Sequence, residues 1–517
     1  MSVGTAVTQL GRRPARPALA ATESRLAAAW PAVLALTVLA AVLRFYRLGH
    51  QGFWFDEANT ALLVHLSPGK MLGLIPQSES TPPLYYCLAW VWARIFGYGE
   101  TGLRSVSALA GVLVVPVAYG AAARLVSVRA GVITAALVAC NPLLIWYAQE
   151  ARSYELLVLF SGLSLLGFAY LLERPTAGTA AGWVIASALA LATHYYAILL
   201  IVPEAICLLV IHRRTRAVQT AVGLVALGGL ALIPLALSQQ RTGRSNWIHH
   251  ASLARRLEEI VPQFVIGFGS PAYGVLEPLA IALVVFGLVL LASRSDRWER
   301  GGAALAGGLA LAGLVLNLLL VAVGIDDLLT RNLLALWLPA TVAVAGGLAA
   351  ARARVIGGVA AAALCAIGIV AAIGVAHDRD LQRPDWRPVA RLLGPPVPGG
   401  RMILIQHYRD LLPLSLYMPG LRFLRGPGFP VSELDVISFT SPPSAGFCWW
   451  GAACNLWPSR MQRSYAIRGF TAVGRQSVNQ FTVLRMVARS PRFLSARAVA
   501  GSLTTTRSAN NVLVIQP

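Results

Sequence analysis

Apolar runs of about 20 residues recur between Leu26 and Ala376, each long enough to cross roughly 30 Å of hydrocarbon. They fall at 26–44, 104–123, 130–147, 154–172, 180–198, 198–211, 218–237, 272–292, 303–323, 332–350 and 355–376. In lipid an open sheet could not satisfy its backbone, so the pattern predicts a mainly α, polytopic membrane protein. One further stretch, "TPPLYYCLAWVWARIFG" from Thr81 to Gly97, is shorter and carries Arg94. Thr81 as N-cap and a proline in the first turn predict a helix there. Its aromatics Tyr85, Tyr86, Trp90 and Trp92 suit the headgroup level, so it is expected to lie on the membrane surface. Beyond residue 376 the pattern changes. Short β-like runs at 401–408, 480–488 and 511–517 and helical patterns at 383–393 and 409–418 alternate with turn-rich "GPPVPGG" and "RGPGFP". A small α/β domain is expected. The organisation read from the chain is therefore a basic tail (1–25), a transmembrane module (26–376) and a C-terminal α/β domain (377–517).

Charge sets the orientation. Only 13% of the 517 residues are charged, against 56% hydrophobic, and the net charge is +21. Nearly all of the positive charge is arginine, with Lys70 the one lysine, and the mean hydropathy is +0.64. The arginines are scattered between apolar runs instead of forming one basic surface, which argues against a nucleic-acid partner. If 82–97 crossed the bilayer, Arg124 and Arg129, "HRRTR" at 212–216, "SRSDRWER" at 293–300 and "ARAR" at 351–354 would all face outside. With 82–97 on the surface they all face the cytoplasm, as the positive-inside bias requires. Eleven spans follow, with the N-terminus cytoplasmic and the C-terminal domain extracytoplasmic. Cys87, Cys140, Cys207 and Cys365 lie in apolar segments as small core residues. Cys448 and Cys454 bracket "CWWGAAC" in the polar region, and a disulfide between them is expected if that region is extracytoplasmic.

This topology gathers the candidate chemistry on the outer side. In "QGFWFDEANTALL" the carboxylates of Asp56 and Glu57 sit among Phe53, Trp54 and Phe55 at a span exit. A partly desolvated carboxylate suits a general base, and a solvated loop pair or a pair bound to Arg44 or Arg47 is the plainer alternative. "YAQEARSYELL" offers Glu150 and Arg152, or a simple polar hairpin. "ALATHYYAILL" offers His194 and Tyr195, or interfacial anchors. "GIDDLLTRNLLALWLPA" offers Arg331, able to grip a phosphate or only to snorkel. Asp326 and Asp327 in the same stretch leave a divalent metal open, although helix-end charges are the simpler account. An acidic pair and phosphate-binding arginines at one membrane face suit a lipid-phosphate substrate.

"FDEANT", "TPPLYYCLAWVWARIFG", "GETGLRSVSALAGVLVVPVAYGAAARLVSVRAG", "NPLLIWYAQEARSYELLVLF", "THYYAILL" and "TRNLLALWLPA" together resemble the polyprenyl-phosphate-sugar-dependent glycosyltransferases of the GT-C fold. The likeness is to a bacterial branch near the protein O-mannosyltransferases and the aminoarabinose transferases. The resemblance implies an inverting transfer of a sugar, mannose favoured, from polyprenyl phosphate to a lipid, glycan or protein acceptor of the cell envelope. It implies Asp56 as base with Glu57 assisting, Arg104, Arg152 and Arg331 on the donor phosphate, and Glu150, His194, Tyr195 and Tyr85 in the cavity. No cofactor is required by it. A lipid-linked glycan polymerase or ligase, and a lipid or glycan transporter, are the competing classes. Transporters usually carry internal repeats and midplane charges, and neither is apparent here.

Overall fold

The computed structural model describes residues 26–405, 408–439, 466–502 and 512–517. The basic tail and both Cys448 and Cys454, with their expected disulfide, lie outside the described residues. Two compact units are present. The first comprises 66–374 and the chain up to Leu48; the second comprises 49–65 and 375–517. The short segment 49–65, grouped with the membrane module on sequence, thus packs with the C-terminal residues.

The first unit is helical. Among the described residues, eight helices are long and apolar enough to cross a membrane: Glu100–Leu125, Tyr154–Glu173, Tyr195–His212, Arg216–Gln240, Tyr273–Arg294, Arg297–Ala322, Thr330–Leu348 and Ala351–His377. A ninth is added if Val128–Cys140 and Pro142–Ala148, bent by 57°, count as one span. Pro142 supplies no backbone N–H, and Asn141 caps the new helix by accepting from Leu144 at 3.0 Å. Of the eleven expected spans, the first and fifth are short, at Trp30–Phe45 and Ala177–Thr193. The Thr81 stretch forms a 13-residue helix, Leu84–Phe96. Its start corrects the expected cap: the N-cap is Pro83, and the Thr81 hydroxyl instead meets that of Tyr86 at 3.2 Å.

Helices pack closely through glycine. A Cβ on Gly347 would collide with the Gly287 carbonyl, one on Gly302 with that of Leu125, and one on Gly313 with that of Leu199. Such close approach replaces the hydrophobic drive that lipid removes. Outward faces stay apolar, as at Leu224, Leu227 and Leu230, which are 52%, 65% and 61% exposed. Arg44, buried at the end of its helix, donates to the carbonyls of Ala139 (3.1 Å) and Val138 (2.9 Å). It is committed to the helix bundle and its charge faces the buried Glu155.

The second unit contains a six-stranded mixed sheet. Its strands are β1 (Arg401–Ile405), β2 (Arg422–Phe423), β3 (Gly428–Phe439), β4 (Thr471–Val478), β5 (Phe481–Ser495) and β6 (Val512–Gln516), in the order β2-β6-β1-β3-β5-β4. Among the described residues, only β1 and β3 pair in parallel. Both faces are covered: Met402, Leu434, Val436 and Met486 pack on one, and Ile403, Ile437, Val483, Trp386 and Leu414 on the other. The helices Trp386–Leu393 and Leu411–Tyr417 match the expected positions. Within the sheet Arg401 of β1 reaches Glu433 (2.6 Å) and Asp435 (3.1 Å) of β3, and Arg485 of β5 reaches Asp435 at 3.0 Å.

Candidate functional site

Two groups of polar residues stand out, one in each unit. In the first unit, residues from five distant stretches meet around His194. This side chain is 3% exposed, at the turn between two apolar helices. Its ring lies 6.0 Å from that of Tyr154 and 5.7 Å from that of Tyr196. Burial first, then the Arg152 and Arg331 guanidinium groups, push its pKa down to about 3, so the ring is neutral at any working pH. Nδ1 accepts the Tyr196 backbone N–H at 3.3 Å. A neutral imidazole carries one proton, which therefore sits on Nε2.

The two arginines are held by neighbours that fix their direction. Arg152 donates to Glu79 at 2.9 Å, and both are buried. The Tyr86 ring lies 6.0 Å from the Arg152 guanidinium carbon. Arg331 lies 5.6 Å from the centre of the Trp247 ring, a cation–π contact. The loop before it is pinned twice. Asn332 donates to the Asp327 carbonyl at 2.6 Å, and Asp327 accepts the Tyr196 hydroxyl at 3.0 Å. Arg256 grips Asp326 with both terminal nitrogens, at 2.6 and 2.8 Å, which holds the Asp326 carboxyl below its usual pKa. The Asp326–Asp327 pair is thus occupied by Arg256 and Tyr196. Among the described residues no group of three or more His, Cys, Asp or Glu is arranged to hold a metal.

Other expected site residues of this unit fall elsewhere. Arg104 is buried and donates to the Leu48 carbonyl at 3.0 Å. The Tyr195 hydroxyl donates to Gln239 at 2.7 Å, while its neighbour Tyr196 takes the place beside His194. Tyr85 is fully buried, edge-on to Tyr86 at 5.4 Å. Glu150 is buried on the turn before Arg152, its carbonyl accepting the Arg152 N–H at 2.8 Å.

Three contributors escape the sequence: Gln239, Trp247 and Arg256, all from the end of one span and the polar loop after it. The signal was present in "RSNWIHHASLARRLEEI", a charged stretch between two apolar runs with no topological need for so many polar groups.

In the second unit, Asp56 and Glu57 lie in the first turn of the Phe55–Val64 helix rather than in a loop. Carboxylates there are favoured by the helix dipole. Glu57 is fully buried, and its carboxylate faces back to the Trp54 N–H at 3.5 Å, so it fastens the helix start. Asp56 remains half-exposed. The approach to this helix is tightly built. Phe53 N–H donates to the Tyr417 hydroxyl at 2.7 Å, Arg383 N–H donates to Gln51 at 3.2 Å, and Arg409 stacks 4.7 Å over Phe55. Gly52 must be glycine: a Cβ there would collide with Asp385 and lie 3.0 Å from the Tyr417 hydroxyl. The aromatic collar around Asp56 is therefore packing against the C-terminal residues.

Against known proteins, residues 80–238 match the family described as dolichyl-phosphate-mannose-protein mannosyltransferase. ArnT from Cupriavidus metallidurans in the apo state has a similar structure. Identity is 15%, covering 89% of this chain and 98% of that one, with a TM-score of 0.53. The same protein bound to undecaprenyl phosphate gives 15% identity, 88% and 97% coverage and a TM-score of 0.49. The Archaeoglobus fulgidus oligosaccharyltransferase gives 11% identity and a TM-score of 0.40; 66% of this chain is covered, spanning about half (53%) of that protein's length. No protein of curated function matches the sequence. This is a multi-pass membrane protein whose fold is similar to that of ArnT, and its residues 80–238 match the family described as dolichyl-phosphate-mannose-protein mannosyltransferase.

Proposed function

We propose that this protein is a membrane glycosyltransferase that moves a sugar, mannose favoured, from a polyprenyl-phosphate donor to a hydroxyl of a cell-envelope acceptor. The transfer inverts the anomeric centre and takes place on the outer face, with the N-terminus cytoplasmic. The single observation that carries this is the meeting of Arg152 and Arg331 around a neutral, proton-donating His194. Arg331, Arg152 in its ion pair with Glu79, and one neutral donor make a receptor for a phosphate whose negative charge grows as it leaves. The family matched over 80–238 is described by a sugar carried on a polyprenyl phosphate, which supports the donor class.

The step needs little acid, because phosphate is a good leaving group. The acceptor oxygen forms a bond to the anomeric carbon. The bond from that carbon to the phosphate oxygen breaks, and its electron pair stays on the lipid phosphate. The proton of the acceptor hydroxyl passes to the Asp56 carboxylate and then to solvent. Arg152 and Arg331 carry the phosphate, and Arg104 is engaged by the Leu48 carbonyl. Glu57 holds the base-bearing helix.

The test uses the purified full chain with a panel of radiolabelled polyprenyl-phosphate sugars and extracted envelope acceptors. Label is expected to move to an acceptor, and Asp56→Asn is expected to lower the rate by about 10²–10⁴-fold while its melting temperature stays at the wild-type value. Transfer by Asp56→Asn at the wild-type rate would remove Asp56 from the mechanism. Uptake of labelled lipid into vesicles with no transfer would replace the enzyme by a transporter.

A further inference from the structure

One buried carboxyl in the first unit does not touch the candidate site. Glu204 is 0% exposed and lies midway along the Tyr195–His212 span, inside an apolar run. Its partners come from two other helices at the same level. Ser164, midway along Tyr154–Glu173, donates its hydroxyl proton to Oε2 at 2.6 Å. The Trp183 indole N–H donates to the same oxygen at 2.9 Å. Ser187 meets the Ser164 hydroxyl at 2.9 Å. Trp183 and Ser187 stand on either side of the middle of Ala177–Thr193. Trp183 is also fully buried, and Gly167 lets its backbone approach: a Cβ there would lie 3.0 Å from the Trp183 Cα. Three helices are thus fastened together at mid-depth through one carboxyl.

The hydrogen bonds locate its proton. Among the described residues no cationic side chain pairs with Glu204. The helices Arg216–Gln240 and Arg297–Ala322, which also pack on its helix, bring no charge to it. Cys207, on its own helix, is the titratable group close enough to interact with it. An ionised carboxylate without a counter-charge is expensive at this depth, and carboxyls that serve ion paths face a water-filled cavity or a partner. Glu204 faces neither. Its Oε2 has two lone pairs and gives them to Ser164 and Trp183, as a carbonyl oxygen does. Oε1 has no hydrogen-bond partner among the described residues and is the oxygen left to carry an acid proton.

We infer that, with the groups around His194 acting as the donor-phosphate receptor proposed above, Glu204 is a protonated, uncharged clasp that positions that receptor. Ser164 lies ten residues beyond Tyr154, and Glu204 lies ten beyond His194. That is about 15 Å of helix in each case. The clasp therefore locks two helices in register at their middles. Arg152 and Tyr154 stand at the start of one, and His194 and Tyr196 at the start of the other. A slip of either helix along its neighbour would move the guanidinium away from the imidazole.

The experiment uses the full-length protein in detergent with three variants. Glu204→Gln stays neutral and keeps a carbonyl acceptor. Glu204→Leu removes the acceptor. Ser164→Ala/Trp183→Phe keeps the carboxyl and takes away both donors. Infrared spectra are recorded at neutral pH, a short-chain polyprenyl phosphate is titrated calorimetrically, and melting temperatures are read beside it. Expected is a protonated-carboxyl C=O band in the wild type that Glu204→Gln lacks. Polyprenyl-phosphate affinity should stay within about twofold of wild type in Glu204→Gln and weaken at least about tenfold in the other two variants. A role in stability alone would lower their melting temperatures and leave their affinity unchanged, which overturns the positioning role. Absence of the C=O band, or equal weakening in Glu204→Gln and Glu204→Leu, overturns the neutral clasp. No binding of polyprenyl phosphate by wild type overturns the receptor itself and the positioning role with it, and the infrared band then decides the protonation alone.

Discussion

At the scale of the residue, His194 decides what kind of chemistry the first unit supports. A histidine between two tyrosines on an outer turn reads from sequence as an anchor or a catalytic group. The sequence gives no view of the two arginines that bracket it, because they lie 42 and 137 positions away. Its own burial and then their field hold its pKa low and keep the ring neutral. His194→Gln, which keeps an N–H near the Nε2 position, is expected to retain most of the transfer rate. His194→Phe is expected to lose about 10–100-fold in kcat/KM, the cost of one missing hydrogen bond to a charged group. The depressed pKa also has a stability consequence. Unfolded chains take up this proton near the ordinary histidine value of about 6.5, whereas the folded protein resists it down to about 3. Stability contributed by neutral His194 is therefore complete above about 6.5 and lost as pH falls toward 3. His194→Gln should flatten the acid side of a melting-temperature profile, and an unchanged slope would show that another group titrates there.

At the scale of the element, hydrophobic run length located the helices well, because a span in lipid has one dominant requirement. It failed where backbone chemistry interrupts a run. Asn141 and Pro142 break a stretch whose composition is that of one span. It also passed over the strand β3, "GFPVSELDVISF", where the adjacent pairs Ser432-Glu433 and Val436-Ile437 interrupt the alternation that marks a strand. The β3 carboxylates Glu433 and Asp435 are buried, and Arg401 and Arg485 from neighbouring strands compensate them. Pairing across strands 32 and 50 positions apart is invisible to a local window. The site residues were legible as types, and Gln239, Trp247 and Arg256 were missed because their role comes only from what they touch. Glycine contacts between helices give an element-level prediction. Gly347→Ala pushes a methyl into the Gly287 carbonyl and should cost about 1–3 kcal/mol by overpacking, measured as a lower melting temperature in detergent. Gly308→Ala, which meets nothing within 4 Å, should leave it unchanged.

At the scale of the whole molecule, each unit has its own interior and its own vulnerable charge. In the second, Arg401 is 1% exposed and serves Glu433, Asp435, Gln516 and the Leu393 carbonyl together. Arg401→Met would leave Arg485 as the remaining ion-pair partner of two buried carboxylates, at a cost of about 3 kcal/mol, and should unfold the sheet in a thermal melt below the wild-type transition. Intact melting of that variant would mean that Arg485 alone compensates the two carboxylates. The division of the chain has a consequence for its biosynthesis. The helix that bears Asp56 leaves the ribosome early, but the groups that seat it are Tyr417, Asp385, Arg387 and Arg409. More than three hundred further residues must be translated first, on the order of tens of seconds at ordinary elongation rates. A nascent or prematurely terminated polypeptide therefore holds its membrane helices before its acidic helix has anywhere to dock, and that helix stays unseated until translation reaches the last quarter of the message.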